Sequence, residues 1–286
     1  MTLRNRLTKD DILIAPGVYD GLTASLATDA GFEALYLSGA AVAYTRLGRP
    51  DIGLTTASEM ADTMALIADR TDLPVIMDAD TGFGNALNAR RTMQSYERAG
   101  AAALQVEDQS YPKKCGHLSD KSLIPMSEMV GKIAAMADAR RHDTLIVART
   151  DAIAVEGFEA AIDRAGNYID AGADVLFIEA PRNSDELGKI AQTYKGRVPL
   201  LANMVEGGAT PISSATDLQA MGFDIVIFPG GIVRALARTA QDYYASMHKA
   251  GSNKPFADRM HDFDGLNDAI GTNDMLALGK RFDGNS

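Results

Sequence analysis

One cysteine stands in 286 residues, and only four histidines accompany it. A lone cysteine excludes an intramolecular disulfide framework, and without a cysteine cluster there is no structural zinc site to read. Long apolar runs are also missing. No stretch approaches bilayer-spanning length, and the opening MTLRNRLTKDDILIAPG lacks the apolar centre of a secretion signal. The expectation is a cytoplasmic protein without a membrane partner. Cations are scarce as well, with 28 Lys and Arg against 38 Asp and Glu and a formal charge of −10. That balance argues against nucleic acid as a partner. It leaves room for an anionic small substrate, because a local cationic pocket is compatible with an acidic exterior.

What is present can build a full core. The composition is 46% hydrophobic and 23% charged, and the length suits one large α/β domain or two smaller ones. Four segments share one design, a helix closed by glycine and then an apolar run: DAGFEALYLSG (29–39), RAGAAALQVED (98–108), DAGADVLFIEA (170–180) and AMGFDIVIFPG (220–230). Gly31, Gly100, Gly172 and Gly222 fit the left-handed position that ends a helix. Four more apolar runs, at 11–17, 73–80, 143–150 and 198–204, complete eight candidate strands, nearly continuous in apolar character as strands buried on both faces require. Helical patterns such as ASEMADTMALIAD and GFEAAIDRAGNYIDA separate them. Eightfold alternation predicts a (β/α)8 barrel over residues 1–250, with an open doubly wound sheet as the alternative. Residues 251–286 carry a further helical pattern, read as a C-terminal arm that packs on a neighbouring subunit.

Barrel chemistry is placed at the C-terminal ends of strands. Those ends read Ser38-Gly39, Asp78 with Asp80, Glu107-Asp108, Arg149 with Asp151, Glu179, Asn203 with Glu206, and Pro229-Gly230-Gly231. Asp78 and Asp80, at i and i+2, point to one side and can share an ion. With Glu107 adjacent, Asp51 upstream and no partner His or Cys, the donor set suits Mg2+ or Mn2+. A solvated strand-end turn is the plainer reading of the same DADTGFG. Arg149 is either a fork for a substrate carboxylate or the ion-pair partner of a neighbouring acid. After strand four comes YPKKCGHLSDKSLIP, about fifteen residues without periodicity, a length typical of lids and binding loops. The lone Cys115 lies in it between Lys113, Lys114, Gly116 and His117, surroundings in which a thiolate is favoured over a thiol. His142, His248 and His261 are read as surface positions.

In this order, YLSGA, DADTGFG, QVEDQSYPKKCGHL, ARTDA, FIEAP, NMVEGGATP and FPGG…R resemble the isocitrate lyase and phosphoenolpyruvate mutase superfamily, over roughly residues 4–250. KKCGH resembles its carbon–carbon lyase branch. The resemblance implies a (β/α)8 barrel in homotetramers that exchange the C-terminal helix. It implies an Mg2+ site at Asp78 and Asp80, with Asp51 and Glu107 holding metal-bound waters. Ser38, Gly39 and Ala40 then match the grip on a 2-oxo-acid carboxylate, and Arg149, Glu179 and Asn203 face the substrate. Cys115 matches a lid acid/base assisted by Lys113, Gly116 and His117, with Arg234 as a second carboxylate partner and Tyr36 as a candidate to remove the hydroxyl proton.

The implied reaction cleaves a 2-hydroxy di- or tricarboxylate to pyruvate plus propionate or succinate. NMVEGGATP and SGA resemble the 2,3-dimethylmalate branch more than the 2-methylisocitrate one, which favours a 2-alkylmalate. Oxaloacetate hydrolysis or decarboxylation needs the same enolate handling and stays open. A phosphonate mutase or hydrolase lacks this cysteine loop. A Schiff-base aldolase would need a lysine inside the barrel, and a non-catalytic binding protein would not need every charged position filled.

Overall fold

A computed structural model describes residues 1–116, 118, 120–208, 210 and 213–283. Eight parallel strands close into a barrel in sequence order: β1 Leu13–Val18, β2 Leu35–Leu37, β3 Val75–Asp78, β4 Ala103–Glu107, β5 Leu145–Thr150, β6 Val175–Ile178, β7 Leu200–Asn203 and β8 Ile225–Phe228. Closure is made by β1 against β8, with Leu13 opposite Ile225 and Pro16 opposite Phe228. The barrel is the expected one, and its closure leaves no edge strand to protect.

Local chemistry starts and stops the intervening helices. Thr56 and Glu59 form a reciprocal capping box at the head of helix Ala57–Arg70, and Ser214 with Asp217 does the same for Ala215–Met221. The four glycines expected to close helices all have positive φ, from +88° at Gly31 to +110° at Gly172.

Strand periodicity sorts side chains into two cores. Inside the barrel, Leu13, Ala15, Tyr36, Ile76, Ala103, Val147, Phe177, Leu201 and Ile225 pack together. Outside, Leu176, Ile178, Leu200, Ala202 and Val226 pack against Leu187, Ile190, Tyr194 and Leu218 of the helices. The inward columns continue past the apolar layers into polar residues: Ala103 to Gln105 and Glu107, Val147 to Arg149, Phe177 to Glu179, Leu201 to Asn203. The period-2 geometry of the strand thus aims the acids and the arginine over the barrel mouth.

The chain divides into two compact units, Met1–Ile232 and Val233–Ser286. The second contains most of helix Gly231–Ala250, a 3-10 turn at Lys254–Arg259 and short helices Phe263–Ala269 and Thr272–Lys280. Phe256 is its buried anchor, edge-on to Tyr243 at 5.4 Å and covered by the Arg259 guanidinium at 4.1 Å. Phe263, Met275, Leu276 and Phe282 are exposed in the single chain. No helix among the described residues is long and apolar enough to cross a membrane.

Candidate active site

Asp78 ends β3, and its carboxylate is the hub of the first half of the mouth. Oδ1 accepts from the Asp80 backbone N–H at 3.1 Å and from Gln105 Nε2 at 3.2 Å. Oδ2 accepts from the Gly39 N–H at 3.3 Å. Gly39 is required by close approach, since a Cβ there would sit 2.9 Å from Asp78 Oδ2. Ser38 caps the short helix Gly39–Val42 by accepting from Ala41 N, which leaves Ala40 half-buried beside the same mouth. Tyr36, from inside the barrel, donates to Gln105 Oε1 at 2.6 Å. Burial, then Asp78, pushes its phenol well above the usual tyrosine range, so Tyr36 is held as a neutral donor. That geometry does not favour the proton-removing role expected of it. Gln105 was not foreseen, although it lies two residues before Glu107 on the inward column of β4.

Lys113 brings the second charge. Its ammonium is buried and sits 2.5 Å from Asp51 Oδ1 and 2.8 Å from Asp80 Oδ1. Burial opposes its charge, but Asp80, Asp51, Asp78 and Glu107 outweigh that and hold it well above the ordinary lysine range. Asp80 occupies a left-handed turn position at φ +45°. Burial, only partly offset by Lys113 and reinforced by Asp78 and Asp51, pushes its carboxyl up to about 7. Glu107 is displaced well above the carboxylate range for the same first reason, burial, against the pull of Arg149.

Arg149, at the end of β5, anchors the other half. Nε and Nη2 donate to the two oxygens of Asp151 at 2.9 and 3.0 Å, while Nη1 lies 3.3 Å from Glu107 Oε2 and 3.7 Å from Glu179 Oε2. The guanidinium also stands over Phe177, 5.2 Å from the ring centre. Asn203 Nδ2 donates to Glu179 Oε2 at 3.1 Å. Arg149 is therefore paired with strand-end acids, one of the two readings that its position allowed.

The cysteine loop lies down on this rim. Its neck is zipped by an antiparallel bridge between Gln109 and Leu123 and by Ser110 N–H donating to Ser122 O at 2.8 Å. Gln109 donates to the Lys114 carbonyl and accepts from the Lys114 N–H, both at 2.9 Å. The Cys115 N–H reaches the Asp51 carbonyl at 3.2 Å, and the thiol residue is half-buried. A Cβ on Gly116 would lie 2.5 Å from Arg149 Nη2 and 2.8 Å from Glu179 Cδ, so only glycine lets the loop descend this far. The loop thus links both halves: Lys113 reaches the aspartates and Gly116 touches the arginine. His117 lies outside the described residues. Arg234 belongs to helix Gly231–Ala250 in the second unit.

Among the described residues, no three His, Cys, Asp or Glu stand close enough to chelate one ion directly. The donors that do converge are carboxylates, and two of their buried oxygens, Asp80 Oδ1 and Glu107 Oε1, have no aligned hydrogen bond. For Asp80 Oδ1 this holds despite the ammonium 2.8 Å away. Acids buried in excess and left with open lone pairs fit a hard cation that keeps several of its waters.

A family model described as phosphoenolpyruvate phosphomutase matches residues 3–248. A 2-methylisocitrate lyase from Aeropyrum pernix is 47% identical, covering 96% of this chain and 88% of its own. A 2,3-dimethylmalate lyase from Eubacterium barkeri is 40% identical over 94% of this chain and 93% of its own. Among solved structures, an oxaloacetate acetylhydrolase in complex with 3,3-difluorooxalacetate superposes with a TM-score of 0.94 at 32% identity, over 100% of this chain and 97% of that one. With a carboxylate-rich barrel mouth, a cysteine loop seated on it and these relatives across nearly its whole length, the chain belongs to the phosphoenolpyruvate phosphomutase family, among its carbon–carbon lyases.

Proposed function

We propose that the protein cleaves a 2-hydroxy di- or tricarboxylate, 2-methylisocitrate or a 2-alkylmalate such as 2,3-dimethylmalate, to pyruvate plus succinate or propionate. The observation that carries this reading is the descent of the Cys115 loop onto Arg149 and Glu179, opposite Asp78 and Asp80. It supports an acid delivered to a carbon held between a carboxylate-binding cation and an acidic cluster.

Asp78 and Asp80 would hold Mg2+, with Asp51 and Glu107 gripping its waters. When bound, the ion supplies Lewis-acid polarisation of the substrate hydroxyl and its neighbouring carboxylate. The Gly39 N–H and the Ser38–Ala40 turn orient the carboxylate that becomes part of pyruvate. The hydroxyl proton passes to a rim carboxylate that does not hold the ion itself, for which Glu107, with its proton affinity raised by burial, is the candidate. As the C2–C3 bond breaks, C2 becomes the carbonyl of pyruvate and the bonding pair moves to C3, next to the second fragment's carboxylate. Arg149, Lys113 and Asn203 face the charge that develops there. The Cys115 thiol gives its proton to C3 and is left as a thiolate in cationic surroundings, to be reprotonated from solvent. In the reverse direction that thiolate removes the proton. Gly116 and His117 belong to the same loop. Tyr36 acts by steadying Gln105 and through it Asp78.

Identity favours 2-methylisocitrate, 47% against 40%, whereas residues 203–211 favour an alkylmalate. Pyruvate release from 2-methylisocitrate, 2,3-dimethylmalate, 2-methylmalate and oxaloacetate, assayed side by side, decides between them. Oxaloacetate hydrolysis is a second reading, supported by the likeness to oxaloacetate acetylhydrolase. Cys115→Ser is expected to slow carbon–carbon cleavage by about 10²–10⁴-fold without lowering the melting temperature. Full turnover in that variant would remove the thiol from the mechanism.

The exposed apolar side chains Phe263, Met275, Leu276 and Phe282 support a homotetramer with exchanged C-terminal helices. A monomer by light scattering would end that part of the proposal.

A further inference from the structure

Lys121 lies in the cysteine loop, six residues beyond Cys115, yet its side chain is 1% exposed. Nζ donates to the Gly116 carbonyl at 2.5 Å and to Asp151 Oδ1 at 2.7 Å. The first contact is to the part of the loop that touches Arg149; the second is to the residue that follows β5. Asp151 is the same carboxylate that clamps Arg149 with both oxygens. It is anchored in turn, because its backbone N–H donates to Asp108 Oδ1 at 2.9 Å. Asp108 Oδ2 accepts from Thr150 Oγ1 and the Tyr168 hydroxyl, each at 2.7 Å. Burying an ammonium is costly unless it is paired, and this pairing exists only while the loop is down. Lifting the loop would expose Lys121 and, among the described residues, leave Asp151 with Arg149 as its cationic partner.

We propose that Lys121 is a positioning residue that latches the cysteine loop closed, bridging the Gly116 carbonyl to Asp151. One buried carboxylate then governs both the seating of the acid-bearing loop and the orientation of Arg149. Lys121 touches no reacting atom in this scheme; it acts through Gly116 and Asp151. The consequence for turnover rests on the lyase reading above, whereas the latch itself does not.

Cys115 is the only cysteine of the chain, so its rate of alkylation by iodoacetamide in the full-length protein reports loop opening directly. Lys121→Met keeps an apolar stem and removes the charge. It is expected to raise the alkylation rate about tenfold and to lower kcat/KM by a similar factor, as the closed fraction falls. Its melting temperature should stay near that of the parent. Lys121→Arg restores a cation at the site and is expected to hold alkylation within about twofold of the parent. Should Lys121→Met fail to fold, Lys121→Gln, which can donate to Gly116 but carries no charge for Asp151, takes its place in the same comparison. Equal alkylation rates in the charge-removing variant and the parent would overturn the latch, even with turnover reduced. If the parent cleaves none of the four acids, the lyase reading fails while the alkylation comparison still decides the latch.

Discussion

The two ends of the barrel handle charge in opposite ways. At the N-terminal end, Asp174 precedes β6 and every oxygen is satisfied: Oδ1 by Arg4 at 3.0 Å, Oδ2 by Arg140 at 2.5 Å and by the Ile146 N–H at 2.9 Å. Asp143 pairs with Arg4 at 2.6 Å, largely in solvent. At the C-terminal mouth, Asp51, Asp78, Asp80 and Glu107 are buried and, among the described residues, share Lys113 and Arg149 as nearby cations, and two of their oxygens lack an aligned hydrogen bond. The same barrel thus carries a neutralised end and an under-neutralised one. A neutralised end contributes to stability; an under-neutralised one leaves carboxylate charge to be met by a further cation.

The largest break in that contrast is Arg149→Met. It removes the cation shared by Asp151, Glu107 and Glu179, and kcat/KM is expected to fall roughly 10²–10³-fold. Taking the nearest guanidinium away from buried Glu107 and half of the cationic pairing from Asp151 should also cost about 3–5 kcal/mol of stability. Denaturant melts that show no loss of stability would mean that the mouth is better neutralised than its geometry indicates.

A smaller effect separates the ends by pH. Asp80 is held at about 7 against 3.8 for an ordinary aspartate. A carboxyl whose folded value is raised binds its proton more tightly in the folded state, so its contribution to stability is present at low pH. That contribution is lost as pH climbs from about 4 to about 7. Mg2+ needs the ionised form, so the rise in melting temperature on adding Mg2+ should be larger at about pH 8 than at about pH 5. An equal or reversed shift, or none, would remove Asp80 from the ion site.

The smallest effect belongs to the other end. Arg4→Ala breaks half-exposed pairs worth about 1 kcal/mol or less after solvent screening, and turnover should not change. A loss of activity in that variant would contradict the division of labour between the two ends.

Much of the mouth was legible before any coordinates. Asp78, Glu107, Arg149, Glu179 and Asn203 all stand on strand-end columns that two-residue periodicity points inward, and the glycine-closed helices told where each strand begins. Gln105 shared that signal and was overlooked because glutamine carries no charge. Lys121 and Tyr168 were not legible, and Asp108 was legible only as part of a strand end. The side chains that hold them lie tens of residues away in the chain, and no local spacing distinguishes a loop lysine in water from one buried on Asp151.

The order of strands, the caps that start helices and the identity of the rim acids are properties of the sequence, because each depends on neighbours within a few residues and on side-chain periodicity. Which cation meets which acid was decided only by closure of the barrel. Lys113 reaches Asp51 and Asp80, Lys121 reaches Asp151, and Arg149 is shared among three carboxylates because folding brings β3, β4, β5, β6 and the cysteine loop to one rim. There, burial makes each charge depend on the partner that the fold supplies.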